Sequence, residues 1–276
     1  MSRIADTFAR IRAEKRTGLV TYLTAGDPSL ARTADLLFAL QGAGADVIEL
    51  GVPFSDPLAD GPVIQRATER ALAAGSTLSG VLDLVAGVRA RLATPLVLFT
   101  YANPIARMGF VQFADRAARA GVDGVLLLDV PIEEADEMHA LLGARGIDTI
   151  FLLSPTTTAE RIARAAALGR GFLYAISRLG VTGVRDHVAD AAGPLAARIR
   201  QATDLPLALG FGISRPEHVA EVGRLADAAV VGSGLVQVIA QAGDSEALVP
   251  NVDAYVRWLK GAPAPSAHAQ REGARA

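Results

Sequence analysis

Short apolar runs rich in Val, Ile and Leu alternate along the chain with Ala-rich segments whose hydrophobic residues recur at helical spacing. The runs begin near Leu19, Val47, Leu96, Val125, Thr149, Phe172, Leu207 and Ala229. They are continuous rather than alternating, the pattern of parallel strands buried on both faces. Between them the periodicity predicts helices over residues 29–41, 110–120, 133–144, 159–168 and 216–225. Ser29 fits an N-cap, and Gly42, Gly121 and Gly169 fit helix ends. A weak repeat reinforces the scheme. Ala43-Gly44-Ala45-Asp46-Val47-Ile48 and Ala120-Gly121-Val122-Asp123-Gly124-Val125 both read as helix end, turn and buried strand, and Ala226-Asp227-Ala228-Ala229 echoes them. Eight such units, with no Gly-rich dinucleotide fingerprint after the first strand, predict an α/β fold of the (β/α)8 TIM-barrel type.

Ile4, Phe8 and Ile11 recur at helical spacing, which predicts an extra amphipathic N-terminal helix. Most units span about 21–28 residues, but the second takes about 50 and the sixth about 35, so long βα loops 2 and 6 are expected. In a barrel these loops lie on the C-terminal face, where active sites are built. Residues 1–261 read as one barrel domain, and residues 262–276, rich in Ala, Pro, Ser and Gly, as a loose tail.

Composition narrows the chemistry. Twenty-seven basic residues against 29 acidic ones leave a net charge of −2, which argues against nucleic acid or an anionic membrane as partner. Mean hydropathy is positive at +0.31, yet no stretch approaches the ~20 apolar residues of a membrane span, and the first 16 residues lack a signal core. A soluble, cytoplasmic chain is expected. There is no cysteine, and the only lysines, Lys15 and Lys260, lie near the termini. A Schiff-base lysine at a strand end is therefore not in evidence. The four histidines are scattered without ligand spacing, so no metal site is expected. Acid–base work by carboxylates, with a tyrosine in support, is what remains.

Glu49, within Val47-Ile48-Glu49-Leu50-Gly51-Val52-Pro53-Phe54, is the first candidate. A carboxylate in a doubly buried strand is costly unless it is paired or faces a polar cavity. The alternative is a structural glutamate paired with a barrel arginine. Asp56 and Asp60 follow in the long second loop, where an aspartate can equally serve as a turn or N-cap residue. Asp27 reads as a turn or cap residue, and Asp129 as either catalytic or a loop brace. Glycines cluster after the last three strands, in Gly180-Val181-Thr182-Gly183, Gly210-Phe211-Gly212-Ile213-Ser214 and Gly232-Ser233-Gly234. Such glycines let backbone N–H groups approach an anion, and barrels often place a phosphate after strands seven and eight.

The run from Glu49 to Pro62, Glu49-Leu50-Gly51-Val52-Pro53-Phe54-Ser55-Asp56-Pro57-Leu58-Ala59-Asp60-Gly61-Pro62, resembles the signature of tryptophan synthase alpha chains. The likeness continues through Tyr101-Ala102-Asn103-Pro104, Asp129-Val130-Pro131, the glycine clusters of loops 6 and 7, and Val231-Gly232-Ser233. It implies a lyase that cleaves indole-3-glycerol phosphate to indole and glyceraldehyde 3-phosphate, with Glu49 as acid–base catalyst and Asp60 stabilising the indole N–H. It implies further that Tyr22, Ile64, Phe99, Leu126, Tyr174, Thr182 and Phe211 surround the substrate. Gly183, Gly212, Gly232 and Ser233 would hold its phosphate. Thr182 would meet Asp60 when loop 6 closes.

The implied partner is the tryptophan synthase beta chain, in an alpha2-beta2 heterotetramer. That chain carries the pyridoxal phosphate, and the alpha chain carries no cofactor. Pro53, Asp56, Asn103, Pro131 and Gly180 match the interface rim. Two rival readings are another phosphate-binding barrel, whose lysine-based catalysis is hard to place here, and an inactive barrel that only activates a beta chain.

Overall fold

The computed structural model describes residues 2–176, 189–210 and 212–264. In chain order the elements are α1 (Arg3–Ala13), β1 (Gly18–Thr24), α2 (Leu30–Ala43), β2 (Val47–Gly51), α3 (Pro62–Ala73), α4 (Leu78–Val88) and β3 (Leu96–Thr100). Next come α5 (Ala102–Met108), α6 (Phe110–Ala120), β4 (Gly124–Leu127), a 3-10 turn (Ile132–Glu134), α7 (Asp136–Gly143), β5 (Asp148–Leu153) and α8 (Ala159–Leu168). The chain continues with β6 (Leu173–Ile176), α9 (Ala189–Ala202), β7 (Leu207–Gly210), α10 (Pro216–Val222), β8 (Ala228–Val231), α11 (Ser233–Ala242) and α12 (Leu248–Leu259). The eight strands pair in parallel, each with its sequence neighbour, and β8 pairs back onto β1 to close the barrel. The TIM-barrel expectation holds.

Strand alternation divides the apolar side chains into two layers. Leu19, Ile48, Leu98, Val125 and Leu209 face outward and pack with helix residues such as Leu36, Val85 and Phe113. Val20, Val47, Val97, Leu126, Ile150 and Ala208 face inward and fill the barrel. The α1 residues Ile4, Phe8 and Ile11 join this inner cluster and plug the N-terminal end, with the Phe8 and Phe172 rings 5.3 Å apart. Gly18 leaves the room: a Cβ there would stand 2.7 Å from Ile11 Cδ1.

The Asp46, Asp123 and Asp227 repeat has a physical reason. Each carboxylate accepts an N–H at the start of a neighbouring strand, from Leu19 (2.9 Å), Leu96 (2.8 Å) and Leu207 (2.8 Å) respectively. Each is also paired with arginine: Arg16 on Asp46, Arg3 and Arg89 on Asp123, Arg12 and Arg200 on Asp227. Three of those arginines bracket or belong to α1, so the helix is pinned by charge as well as by its apolar face.

Several boundaries differ from the sequence expectation. Ser29 caps α2 by accepting from the Arg32 N–H, but Gly42 lies inside that helix. The left-handed cap is Gly44, at φ +92°. The helix expected over 133–144 divides into the 3-10 turn and α7, and α10 stops at Val222. The length after β2 is not one long loop. A connection of residues 52–61 leads into an additional helix, α3, which buries Ala67, Thr68 and Ala71. Residues 177–188, the expected loop 6, lie outside the described residues, as does the tail from 265.

Candidate active site

Glu49 sits in the middle of β2, in register with Tyr22 on β1 and Val97 on β3. Its side chain points into the barrel, 1% exposed, and neither carboxylate oxygen has a hydrogen-bond partner among the described residues. No arginine among the described residues pairs with it. Burial pushes the carboxyl up to about 8, so at neutral pH Glu49 holds a proton it can give.

Asp60 ends the 52–61 connection, just before Gly61, the N-cap of α3. The Tyr101 hydroxyl donates to its carboxylate at 2.9 Å and accepts the Ala59 N–H at 3.1 Å, so one phenol ties both the loop and its acid. Burial raises Asp60 to about 6, with the Tyr101 hydrogen bond opposing the rise. Tyr101 itself stacks on Phe54, ring centroids 5.1 Å apart.

The aromatic walls come from β1, β3 and β6. Tyr22 meets Phe99 edge-on at 5.2 Å, and Ile64 on α3 packs into the same cluster. Leu126 is fully buried in the barrel interior, with Tyr174 packed against that layer. Two strand-end glycines create the room for the tyrosines. A Cβ on Gly51 would stand 2.2 Å from the Tyr22 hydroxyl, and one on Gly210 would stand 2.5 Å from the Tyr174 hydroxyl. Gly210 thus has a packing role. Burial lifts both phenols well above their ordinary range, and the nearby carboxylates Asp60 and Glu49 add to the rise. Both stay protonated.

Beyond β7, Gly212 adopts φ +67° with open space where a Cβ would be. After β8, Gly232 is the N-cap of α11 and offers no side-chain cap, while Ser233 opens the helix. The first N–H groups of a helix have no intrahelical acceptor and carry partial positive charge, so this end suits an anion. Thr182, Gly183, Gly180 and Phe211 lie outside the described residues.

Of the remaining candidates, Asp56, Asn103 and Pro131 are exposed around the barrel mouth, whereas Pro53 is buried beneath that surface. Leu58, at 91% exposure, is the most exposed large hydrophobic side chain among the described residues. Asp129 proves to be a brace: it accepts the Ala102 N–H at 2.8 Å at the start of α5. Asp27 is a turn residue, its N–H donating to the Thr24 carbonyl at 3.2 Å, and its carboxylate, 2% exposed, is paired with Arg70. The sequence reading assigned no role to Tyr101 or Arg70. Tyr101 opens a recognised motif, but its partner lies 41 residues away. Among the described residues no three His, Cys, Asp or Glu side chains are grouped to hold a metal ion, and no single helix is long and apolar enough to cross a membrane.

A closed parallel barrel with two carboxylates of raised pKa at its mouth, beside aromatic walls and a free helix N-terminus, defines an acid–base barrel enzyme. Comparison with known proteins makes this particular. The sequence profile of the tryptophan synthase alpha chain matches residues 8–262. The tryptophan synthase alpha chain of Solibacter usitatus is 50% identical over 260 residues, covering 94% of this chain and 97% of the relative. A tryptophan synthase structure from Mycobacterium tuberculosis superposes with a TM-score of 0.86 at 36% identity, over 94% and 96% of the two chains. A structure from Pyrococcus furiosus, described as the tryptophan synthase a2b2 complex, gives 0.84 at 39% identity over 88% and 98%. The chain belongs to the tryptophan synthase alpha chain family. It is a lyase of tryptophan biosynthesis, and the family's reaction is the cleavage of indole-3-glycerol phosphate to indole and glyceraldehyde 3-phosphate.

Proposed function

We propose that Glu49 and Asp60 carry this retro-aldol cleavage, and that the glycines after β7 and β8 hold the substrate phosphate. The observation that bears most on this reading is the Glu49 carboxyl, without a hydrogen-bond partner among the described residues and held protonated at neutral pH by burial. Glu49 gives its proton to C3 of the indole ring, leaving a cationic indolenine. Asp60, ionised above about pH 6, faces the ring N–H and stabilises that charge. Glu49, now a carboxylate, takes the proton of the hydroxyl on the carbon attached to C3. That carbon becomes the aldehyde, the C–C bond breaks, and its electron pair returns to the ring to restore indole. Glu49 ends protonated, ready for another turnover. The ring is its own electron sink, which is why no lysine or metal is required of the site.

Tyr22, Ile64, Phe99, Leu126, Tyr174 and Phe211 line the indole and glycerol portions. Backbone groups of Gly183, Gly212, Gly232 and Ser233 bind the phosphate. Thr182 reaches Asp60 when loop 6 closes and excludes water. The partner is the tryptophan synthase beta chain, which supplies pyridoxal phosphate and receives indole through a channel, in an assembly of two alpha and two beta chains in the cytoplasm. No cofactor is assigned to the alpha chain. Pro53, Asp56, Asn103, Pro131 and Gly180 belong to the rim that meets the beta chain, so closure of loops 2 and 6 is coupled to the partner's ligand state.

The test is indole release from indole-3-glycerol phosphate by the purified chain, with and without the beta chain. Release is expected in both cases and is faster with the partner. No release in either would sink the reading, and an effect confined to stimulating the beta chain would favour the inactive-activator alternative.

A further inference from the structure

Asp60 is the last loop residue before Gly61 and Pro62 open α3, so the placement of that helix sets where the Asp60 carboxylate stands. The near end of α3 is tied to the loop. The Gln65 side-chain amide donates to the carbonyl oxygens of Asp60 at 2.9 Å and Pro57 at 3.4 Å. The far end is tied to another part of the barrel mouth. Arg70 donates from Nε to Asp27 Oδ1 at 2.8 Å and from Nη2 to Asp27 Oδ2 at 2.7 Å, a two-point fork.

The loop that carries Asp27 is itself rooted beside Glu49. Within it the Ala25 N–H donates to the Gly51 carbonyl at 2.9 Å, two residues beyond Glu49 on β2. Gly26, at φ +94°, presses so closely on the chain after α3 that a Cβ would stand 1.7 Å from Ser76 Oγ. Helix α3 therefore runs from the Asp60 loop at one end to the β1–α2 loop at the other, with the Asp27–Arg70 fork as its charged fastening.

A buried ion pair is a weak source of stability compared with apolar groups of the same shape, and its best attested use is to select one arrangement. Here the arrangement is the position of α3. Asp27 is 2% exposed and Arg70 reaches it from a side chain 40% exposed, so the fork is anchored on the loop side and reached from the helix side. We infer that the Asp27–Arg70 pair is a positioning clamp, which fixes α3 on the β1–α2 loop and so holds Asp60 at its working place relative to Glu49. Both are positioning residues: they act through Asp60. This inference rests on the assignment of Glu49 and Asp60 as the catalytic carboxylates.

The experiment measures indole release by the alpha–beta complex for wild type, Arg70→Ala, Arg70→Lys, Asp60→Asn and the double variant of Asp60→Asn with Arg70→Ala. Displacing a catalytic group by about 1 Å from a distance can cost about 10²-fold in rate. Arg70→Ala is expected to lower kcat by about that factor with KM within about threefold, because the α11 N-terminus is untouched. Arg70→Lys, which keeps the charge but not the fork, should fall between the two. In the Asp60→Asn background Arg70→Ala should cost less than about twofold, the non-additivity of groups that act as a unit. A wild-type kcat in Arg70→Ala, or the full loss in both backgrounds, would overturn the clamp. Amide exchange gives a readout independent of activity. The Ala59 N–H, bonded to Tyr101, should exchange faster in Arg70→Lys, and unchanged exchange across residues 52–61 would equally overturn it. A wild-type complex that releases no indole would instead defeat the reaction assignment, and the exchange measurement would still decide the clamp.

Discussion

The two ends of this barrel use the same acidic side chains in opposite ways. At the N-terminal end Asp46, Asp123 and Asp227 each accept a strand N–H and face one or more cations. Burial there pushes Asp46 and Asp227 up. The Arg16 hydrogen bond on Asp46 and the Arg12 hydrogen bond on Asp227, with the strand N–H groups and neighbouring cations, outweigh it and hold both below the usual carboxylate range. At the mouth, among the described residues, Glu49 has burial and no compensating donor, and Asp60 has only the Tyr101 hydroxyl against it, so both rise. One end spends its carboxylates on holding the barrel and its plug together. The mouth has structural acids too, Asp27 paired with Arg70 and Asp129 bracing the Ala102 N–H, but it leaves Glu49 and Asp60 with raised pKa values, at a cost in stability.

Glu49→Gln is the largest wager on that contrast. Turnover is expected to fall by about 10³-fold or more in indole release, with substrate still bound. The same change should stabilise the fold at high pH. Glu49 has a folded pKa of about 8 against an ordinary 4.5, so the folded state binds the extra proton between those values. Wild-type stability therefore declines as pH rises from about 4.5 through about 8, and the glutamine variant avoids that loss. Thermal denaturation at pH 9 should place it above wild type, by up to about 5 kcal/mol. A less stable variant with normal turnover would erase the distinction between the two ends.

Asp227→Asn probes the other end. Losing charge-assisted bonds from Arg12 and Arg200 should cost about 2 kcal/mol of stability at pH 7 and leave kcat unchanged. Because the Asp227 pKa is lowered on folding, its contribution is present above the ordinary carboxylate range. The gap between wild type and variant should close as pH falls through the native value. Denaturant titrations at pH 7 and pH 3 measure this, and an equal gap at both would contradict it.

Tyr101→Phe sharpens the contrast most finely. Asp60 then loses the Tyr101 donor that opposes its burial, so its pKa should rise above about 6. The acidic limb of the kcat–pH profile moves to higher pH accordingly, with roughly a tenfold fall in rate at pH 7. A reduced rate with an unmoved limb would mean that Tyr101 orders the loop without touching the acid's proton equilibrium.

Much of this was legible beforehand, for identifiable reasons. The eight strands begin within a residue of their expected starts, because strands buried on both faces need unbroken apolar runs. Ile4, Phe8 and Ile11 marked the plug by helical spacing alone. Glu49 stood out as a charge within such a run. The misses are local or long-range. Gly42 and Gly44 are equally good helix-ending residues on paper, and the choice between them depended on which could adopt φ +92° at the turn into β2. The length after β2 read as loop, because α3 covers the barrel mouth with alanines and a threonine rather than a strong apolar stripe.

What the sequence by itself determined is the periodic part: parallel strands, their helices, the plug and a charged residue where none is cheap. Burial patterns are local, so they are written in consecutive residues. Tertiary structure decided which acids are paired and which are left alone, since that depends on partners far apart in the chain. Asp27 meets Arg70 across 43 residues and Asp60 meets Tyr101 across 41, whereas Glu49 meets no hydrogen-bonding group among the described residues. Hydrogen-bond donors are short-ranged and directional. Only closure of the barrel brings them within reach of one carboxylate and leaves another bare.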